Sequence, residues 1–166
     1  MGSPTITRAA IVAEARSWIG TPYRHQASCK GVGCDCLGLV RGVWRAVIGP
    51  EPEATPRYAA DWAEASGKEA LAEAALRHLV PVECAAFGPG DVLLFRWRAG
   101  FVAKHAAIVT ECACPDRKTG THFSGTCVAP DRMVHAHDGA AVAEVAIAPW
   151  WRRRLAYAFR FPGVTD

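Results

Sequence analysis

Cys36 stands directly after Asp35, at the start of the run CLGLVRGVW. Aspartate is a favoured helix N-cap, and the apolar residues that follow predict a helix with Cys36 in its first turn. Backbone N–H groups without partners and the positive end of the helix dipole lie at such a turn, and both lower the pKa of a thiol. The sequence therefore predicts that Cys36 is a nucleophile with an available thiolate.

Three histidines in two apolar runs can serve such a thiol. His105 opens the run HAAIV, where an imidazole can take the proton of Cys36. His135 and His137 lie in RMVHAH, and strand alternation places both on one face. Either can orient the imidazole of His105, and spacing alone does not choose between them. The pattern favours nucleophilic catalysis by a cysteine with two supporting imidazoles.

A second group of cysteines lies between these two histidine-bearing runs. Three thiols and an imidazole can complete a tetrahedral zinc site. The C-x-C spacing is not typical of zinc sites, and it favours an insertion loop with free thiols or one disulfide formed outside the cell. The residues of this weak metal candidate are Cys112, Cys114, His122 and Cys127.

The remaining cysteines suggest no cofactor. Cys29, Cys34 and Cys36 are spaced C-x₄-C-x-C, which lacks a C-x-x-C pair, so we expect no metal there. The chain has seven cysteines, and this odd number leaves at least one thiol free. Cys34 is interpreted as a bystander of Cys36, and the sequence gives Cys84 no role.

The composition indicates an ordinary globular domain. The chain has 166 residues, 51% hydrophobic and 21% charged, with a formal charge of +3. That charge is too small to indicate nucleic-acid binding. The sequence has no apolar run of about 20 residues, so we expect no membrane insertion. Because charged residues lie near the start, we expect no signal peptide. We expect one domain over residues 1–166, made in the cytoplasm.

Helical patterns come first in the chain and strand patterns follow. Helices are predicted over 7–19 and 37–48, and a third is predicted with Ser66 as N-cap and Glu69 as its capping-box partner, ending before Pro81. The order predicts an α+β fold in which helices pack on a small antiparallel sheet. The predicted strands lie within 92–97, 105–111, 132–137, 140–147 and 154–161.

The run WWRRR, from Trp150 to Arg154, has two interpretations. Its aromatic and cationic side chains can form a surface for a polyanion or a partner protein. Such a run is more often a solvated turn whose tryptophans pack onto the sheet.

Five segments resemble, in order, the landmarks of the NlpC family of papain-like cell-wall cysteine peptidases. They are GTPYRHQ, DCLGLVRGVW, GPGDVLLF, KHAAIV and RMVHAH, and the resemblance covers roughly residues 11–147. DCLGL is similar to the family's Asp-Cys-Ser-Gly-Leu segment, with Leu37 in place of serine. The chain departs from many relatives at His25 and Cys34, so we expect these two residues to alter the cleft wall and the subsite preference. The resemblance implies a papain-like NlpC-type fold.

The resemblance also implies roles for individual residues. Cys36 is similar to the nucleophile, His105 to the base and His135 to the orienting residue, whereas His137 has no counterpart. Tyr23 is similar to a tyrosine on the substrate side of the nucleophile. We expect both Tyr23 and Asp35 to bind the substrate. No cofactor or metal is implied.

The implied activity is hydrolysis of peptide bonds in peptidoglycan stems, with the link between D-γ-glutamate and a diamino acid favoured. The single-domain form and the basic, aromatic C-terminal run resemble the branch found in phage tails and gene transfer agents. This implies a virion component that binds a tail hub or baseplate protein and acts in the periplasm or cell wall. The alternatives are a papain-like amidase or acyltransferase, and a catalytically inert tail-assembly module.

Overall fold

The computed structural model describes residues 6–58, 67–113 and 129–165. The helices are α1 (Arg8–Ser17), α2 (Cys36–Val47), α3 (Ala70–His78) and α4 (Pro149–Arg152). The strands are β1 (Ser28–Cys29), β2 (Gly33–Cys34), β3 (Val80–Val82), β4 (Val92–Arg96), β5 (Ala103–Ala113), β6 (Ala129–His135), β7 (Ala143–Ala146) and β8 (Leu155–Arg160).

Six strands form one antiparallel sheet in the order β3-β8-β4-β5-β6-β7, and β1 pairs with β2 in a separate hairpin. The predicted α+β class is confirmed, because helices from the first half of the chain pack on this sheet. The sequence pattern does not predict β3, because Pro81 indicates only the end of a helix. Proline is tolerated there because β3 is an edge strand.

The two faces of the sheet contribute to different apolar cores. Val92 and Leu94 pack in the cluster that contains α1 and α2, whereas Leu93 and Phe95 pack in a second cluster with Trp151 of α4. This alternation along β4 follows from the two-residue period of a strand. The sheet is therefore covered on both sides, and the short helix α4 lies on the face opposite α2.

Helix α2 lies deep in the first core, with Leu39 and Val43 fully buried. Two glycines allow close packing around it. A Cβ atom at Gly42 would lie 1.9 Å from the Trp18 ring, and one at Gly38 would lie 1.8 Å from the carbonyl oxygen of Ala27. The position of α2 against α1 and the preceding loop therefore requires glycine at both sites.

The start of α3 differs from the predicted capping box. Ser66 lies outside the described residues, and the helix begins at Ala70 with Glu69 at its N-cap position and without a side-chain capping bond. The Glu69 carboxylate instead accepts a hydrogen bond from the Ala103 N–H group at 2.9 Å and pairs with Arg96. The predicted capping role of Glu69 is wrong because its carboxylate binds β4 and β5.

None of the helices in the described ranges has the length and hydropathy needed to span a bilayer.

Candidate active site

Asp35 caps the helix that carries the candidate nucleophile. Its backbone is extended, with φ −101° and ψ −174°, and its Oδ1 accepts a hydrogen bond from the Gly38 N–H group at 2.7 Å. Helix α2 begins at Cys36, whose side chain is half-buried. The predicted position of Cys36 behind an aspartate cap is confirmed.

The other oxygen of Asp35 also binds protein groups. Oδ2 accepts hydrogen bonds from the Gln26 N–H group at 2.7 Å and from the Tyr58 hydroxyl at 2.5 Å, and the His25 Nδ1 atom lies 3.7 Å away. Asp35 is only 2% exposed. Its carboxylate therefore fixes the segment before Cys36, and its expected contact with a substrate stays a prediction.

A cleft of about 230 Å³ opens at the start of α2. It brings together four of the five residues predicted for catalysis and substrate binding, namely Cys36, His105, Tyr23 and Asp35. The fifth, His135, lies behind His105. The other residues that line the cleft are His25, Tyr58, Trp97, Lys104, Ala136, His137 and Asp138.

His105 and His135 form a buried pair. The Nε2 atom of His105 lies 3.0 Å from the Nδ1 atom of His135, and the side chains belong to the neighbouring strands β5 and β6. This hydrogen bond leaves Nδ1 of His105 as the ring nitrogen that can accept a proton from a thiol. His137 is exposed, and its Nδ1 donates to the Asp138 carbonyl oxygen at 2.9 Å. His135, and not His137, therefore has the hydrogen bond to His105 that an orienting residue needs, and its catalytic role stays a prediction.

Two tryptophans enclose the imidazole of His105. The Trp151 ring stacks on it at 5.3 Å between centroids and meets the His135 ring edge-on at the same distance. The Trp97 ring lies 5.5 Å away. Packing of Trp151 on the sheet agrees with one of the two interpretations of the run WWRRR. No spacing signal connects His105 with Trp97, 8 positions before it, or with Trp151, 46 positions after it.

Burial shifts the pKa values of the three candidate catalytic groups toward their uncharged forms. It raises the pKa of the Cys36 thiol to about 11, with a smaller contribution from the charge of Asp35, while backbone N–H groups act in the opposite direction. Burial, His135 and His137 together hold the pKa of His105 well below 6.5. Burial and then His137 lower the pKa of His135 to about 4.

The predicted lowering of the Cys36 pKa is therefore wrong. The helix N-terminus does supply stabilising N–H groups, from Cys36 and Leu37, but the burial of the thiol outweighs them. Sequence position alone shows the helix terminus but not the extent of burial.

Tyr23 forms another wall of the cleft. Its backbone makes an isolated parallel bridge with Cys34, which fixes it beside the nucleophile segment. Burial raises the pKa of its hydroxyl to about 12, and the charges of Asp35, Cys36 and Asp138 add to this effect. Tyr23 therefore presents a neutral phenol to the cleft.

The remaining cysteines lie in different environments. Cys34 is fully buried in the first core, where burial raises its thiol pKa to about 12, so it does not form the cleft wall. Cys29 and Cys84 are exposed free thiols. His25, the other departure from the family pattern, does line the cleft.

The weak metal candidate lies largely beyond the described ranges. Cys112 belongs to β5, where its backbone pairs with Pro130, but its side chain is not among those described. Cys114, His122 and Cys127 lie outside the described residues. Within the described part of the chain, no three His, Cys, Asp or Glu side chains are grouped to hold a metal ion.

Solved structures share this fold. An NlpC/P60 family protein from Bacillus cereus is 19% identical, with a TM-score of 0.60, and the match covers 95% of this chain and 41% of that protein. The NlpC/p60 domain of the peptidoglycan hydrolase SagA is 23% identical, with a TM-score of 0.54 over 94% of this chain and 100% of the domain. An NLP/P60 family protein from Staphylococcus aureus, described as similar to a lipoprotein, is 20% identical, with a TM-score of 0.53 over 100% of this chain and 44% of that protein.

These likenesses confirm the predicted NlpC-type fold. Neither a family model nor a curated protein matches the sequence. The chain spans less than half of the Bacillus cereus and Staphylococcus aureus proteins, and the whole of the SagA domain.

Proposed function

We propose that the protein is a cysteine peptidase of the NlpC/P60 type that hydrolyses peptide bonds in peptidoglycan stems. The observation that carries this proposal is the shared cleft of Cys36 and His105, with His105 hydrogen-bonded to His135 at 3.0 Å. The fold shared with the domain of SagA, itself a peptidoglycan hydrolase, supports the same substrate class.

The first half of the reaction is acyl transfer to the thiol. As the Cys36 sulfur attacks the scissile carbonyl carbon, Nδ1 of His105 takes the thiol proton, so charge separation accompanies bond formation. Backbone N–H groups at the start of α2, including that of Leu37, stabilise the oxyanion. His105 then gives its proton to the leaving amine as the C–N bond breaks, which leaves a thioester on Cys36.

The second half is hydrolysis of the thioester. His105 removes a proton from water, the hydroxide attacks the thioester carbonyl, and the Cys36 sulfur departs and regains a proton. His135 assists both halves, because its Nδ1 accepts the Nε2–H of His105 when that ring becomes cationic. Its pKa of about 4 keeps His135 neutral, and therefore able to accept, at neutral pH.

Two finer parts of the proposal rest on the motif resemblance. The scissile bond is the link between D-γ-glutamate and a diamino acid, with Tyr23 contacting the substrate. The protein acts in the periplasm or cell wall as part of a phage-like tail or gene transfer agent, bound to a tail hub or baseplate protein. Mass spectrometry of purified particles tests the second part, which fails if the protein is absent from them.

Digestion of purified peptidoglycan, followed by mass spectrometry of the soluble products, tests the reaction itself. We expect a new amino group on a diamino acid within the stem. Release of intact stems from muramic acid would instead indicate an amidase, and an absence of products would favour an inert module. Cys84→Ala is a matched control, because it removes an exposed thiol outside the cleft and should retain activity.

A further inference from the structure

Three side chains form a continuous surface at the edge of the cleft: Trp97, Trp150 and Arg154, here called the aromatic platform. Trp97 follows β4, Trp150 lies in α4 and Arg154 follows α4. The Trp97 and Trp150 rings are 5.9 Å apart, and the Arg154 guanidinium lies 3.9 Å from the centre of the Trp150 ring. These residues take no part in the proposed proton transfers.

The aromatic platform is held in place before any ligand binds. Arg154 donates hydrogen bonds to the Trp97 carbonyl oxygen through Nε and to the Trp150 carbonyl oxygen through Nη1, both at 3.2 Å. Trp151, which packs in the second core, supports the Trp150 ring edge-on at 4.7 Å. A preorganised surface loses little conformational entropy when it binds.

Trp150 keeps a large exposed surface despite these contacts. The residue is 40% exposed although the Arg154 guanidinium covers part of the ring. A supported indole beside a cleft can contact a ligand at little entropic cost, because its exposed part offers a large apolar surface. The C–H groups of a sugar ring can pack on such a surface.

The aromatic platform is continuous with the catalytic cleft. Trp97 lines the cleft, and successive ring-to-ring steps of 5.5 and 5.9 Å lead from His105 to Trp97 and on to Trp150. In peptidoglycan, two amino acids and the lactyl group of muramic acid separate the proposed scissile bond from the sugar ring. Three such units extend over roughly 10 Å. The Trp150 ring lies no farther from His105 than the sum of the two ring-to-ring steps, so a stem in the cleft is long enough to reach it.

We propose that Trp150 forms a sugar subsite, with Trp97 and Arg154 as its support, for the N-acetylated glycan strand that carries the stem in the cleft. This inference rests on the proposed function. The continuity with the cleft favours a covalently attached part of the same substrate over a separate protein partner.

Calorimetric binding to the Cys36→Ala protein, which does not turn over its ligand, tests the sugar subsite. The two probes are a disaccharide-tetrapeptide and the same tetrapeptide without sugar. We expect the sugar-bearing probe to bind about tenfold more tightly, which is about 1.4 kcal/mol. Adding Trp150→Ala should remove this difference, whereas adding Leu76→Ala, which truncates an exposed side chain on α3, should retain it.

Equal affinities for the two probes, or a sugar preference that survives Trp150→Ala, would overturn the sugar subsite. Either result would favour a protein partner as the ligand of the aromatic platform. Trp150→Phe, which keeps an aromatic ring, should retain most of the preference. Cleavage by the wild-type protein is measured separately, so a failure of the peptidase proposal is distinguishable from a failure of the subsite.

Discussion

At the scale of single residues, the proposed reaction depends on the surroundings of His105. Its Nε2 atom lies 3.0 Å from Nδ1 of His135, and the Trp151 ring stacks on its imidazole at 5.3 Å between centroids. We expect the hydrogen bond to orient the imidazole and the tryptophan to keep water away from it. A single substitution tests each contact.

Replacement of His135 tests the proposed orienting role. His135→Ala should lower kcat by about 10²-fold or more, because the His105 imidazolium loses its hydrogen-bond acceptor. His137→Ala is the matched control, since His137 does not hydrogen-bond with His105, and it should lower kcat less than about threefold. Steady-state kinetics on a stem peptide measures both variants, and equal losses would contradict the assigned role.

Truncation of Trp151 tests the link between burial and imidazole basicity. Burial lowers the pKa of His105, so neutral, active His105 should persist below pH 6.5 in the wild type. Trp151→Ala admits water, raises this pKa and should move the acidic limb of the kcat/KM profile to higher pH. Leu76→Ala should leave the limb in place, and an unmoved limb in Trp151→Ala would show that Trp151 does not set this pKa.

At the scale of elements, the apolar periodicity and the turn residues of the sequence predicted the helices and strands whose bounds depend on nearby residues. They failed where a side chain binds a distant element. Glu69 binds β4 and β5 instead of capping α3, and Pro81 lies in an edge strand that becomes visible only through its pairing with β8. Tyr58 binds Asp35 across 23 positions, and no local pattern indicates this contact.

We expect Asp35, the N-cap of α2, to contribute to both the stability of the fold and the reaction rate. Asp35→Ala removes the hydrogen bonds to Gly38, Gln26 and Tyr58, so we expect unfolding to become easier by about 2 kcal/mol or more and the reaction rate to fall. Thr7→Ala, which removes the cap of α1, should cost about 1 kcal/mol and leave the rate unchanged. Thermal denaturation combined with kinetics measures the two effects, and an unchanged rate in folded Asp35→Ala would contradict the positioning role.

At the scale of the whole molecule, the first half of the chain supplies the thiol and the second half supplies both imidazoles. The α+β order of elements was predictable because helical and strand periodicities separate along the chain. The cleft was not predictable in detail, since it depends on how α2 meets the ends of β5 and β6. The prediction that residues 1–166 form one catalytic domain stays a prediction.

One buried carboxylate joins the two ends of the described fold. Asp91 is fully buried and pairs with Arg8 of α1 at 3.2 Å and Arg160 of β8 at 3.1 Å. Asp91→Ala should destabilise the fold by about 3 kcal/mol, because it leaves cationic groups partly buried without this partner. Urea denaturation measures this loss of unfolding free energy. Glu53→Ala is the control: it breaks the exposed ion pair of Glu53 with Arg77 and should barely change the urea concentration at the midpoint of unfolding. Equal midpoints for the two variants would contradict a structural role for Asp91.

The most direct test of the peptidase mechanism is the hydrolysis rate of a purified stem peptide by the wild-type, Cys36→Ala and Cys29→Ala proteins. Cys29 is an exposed thiol in the hairpin before α2, and it does not line the cleft. The mechanism predicts hydrolysis by the wild-type and Cys29→Ala proteins at similar rates and none above background by folded Cys36→Ala. Hydrolysis by Cys36→Ala at the wild-type rate would contradict it.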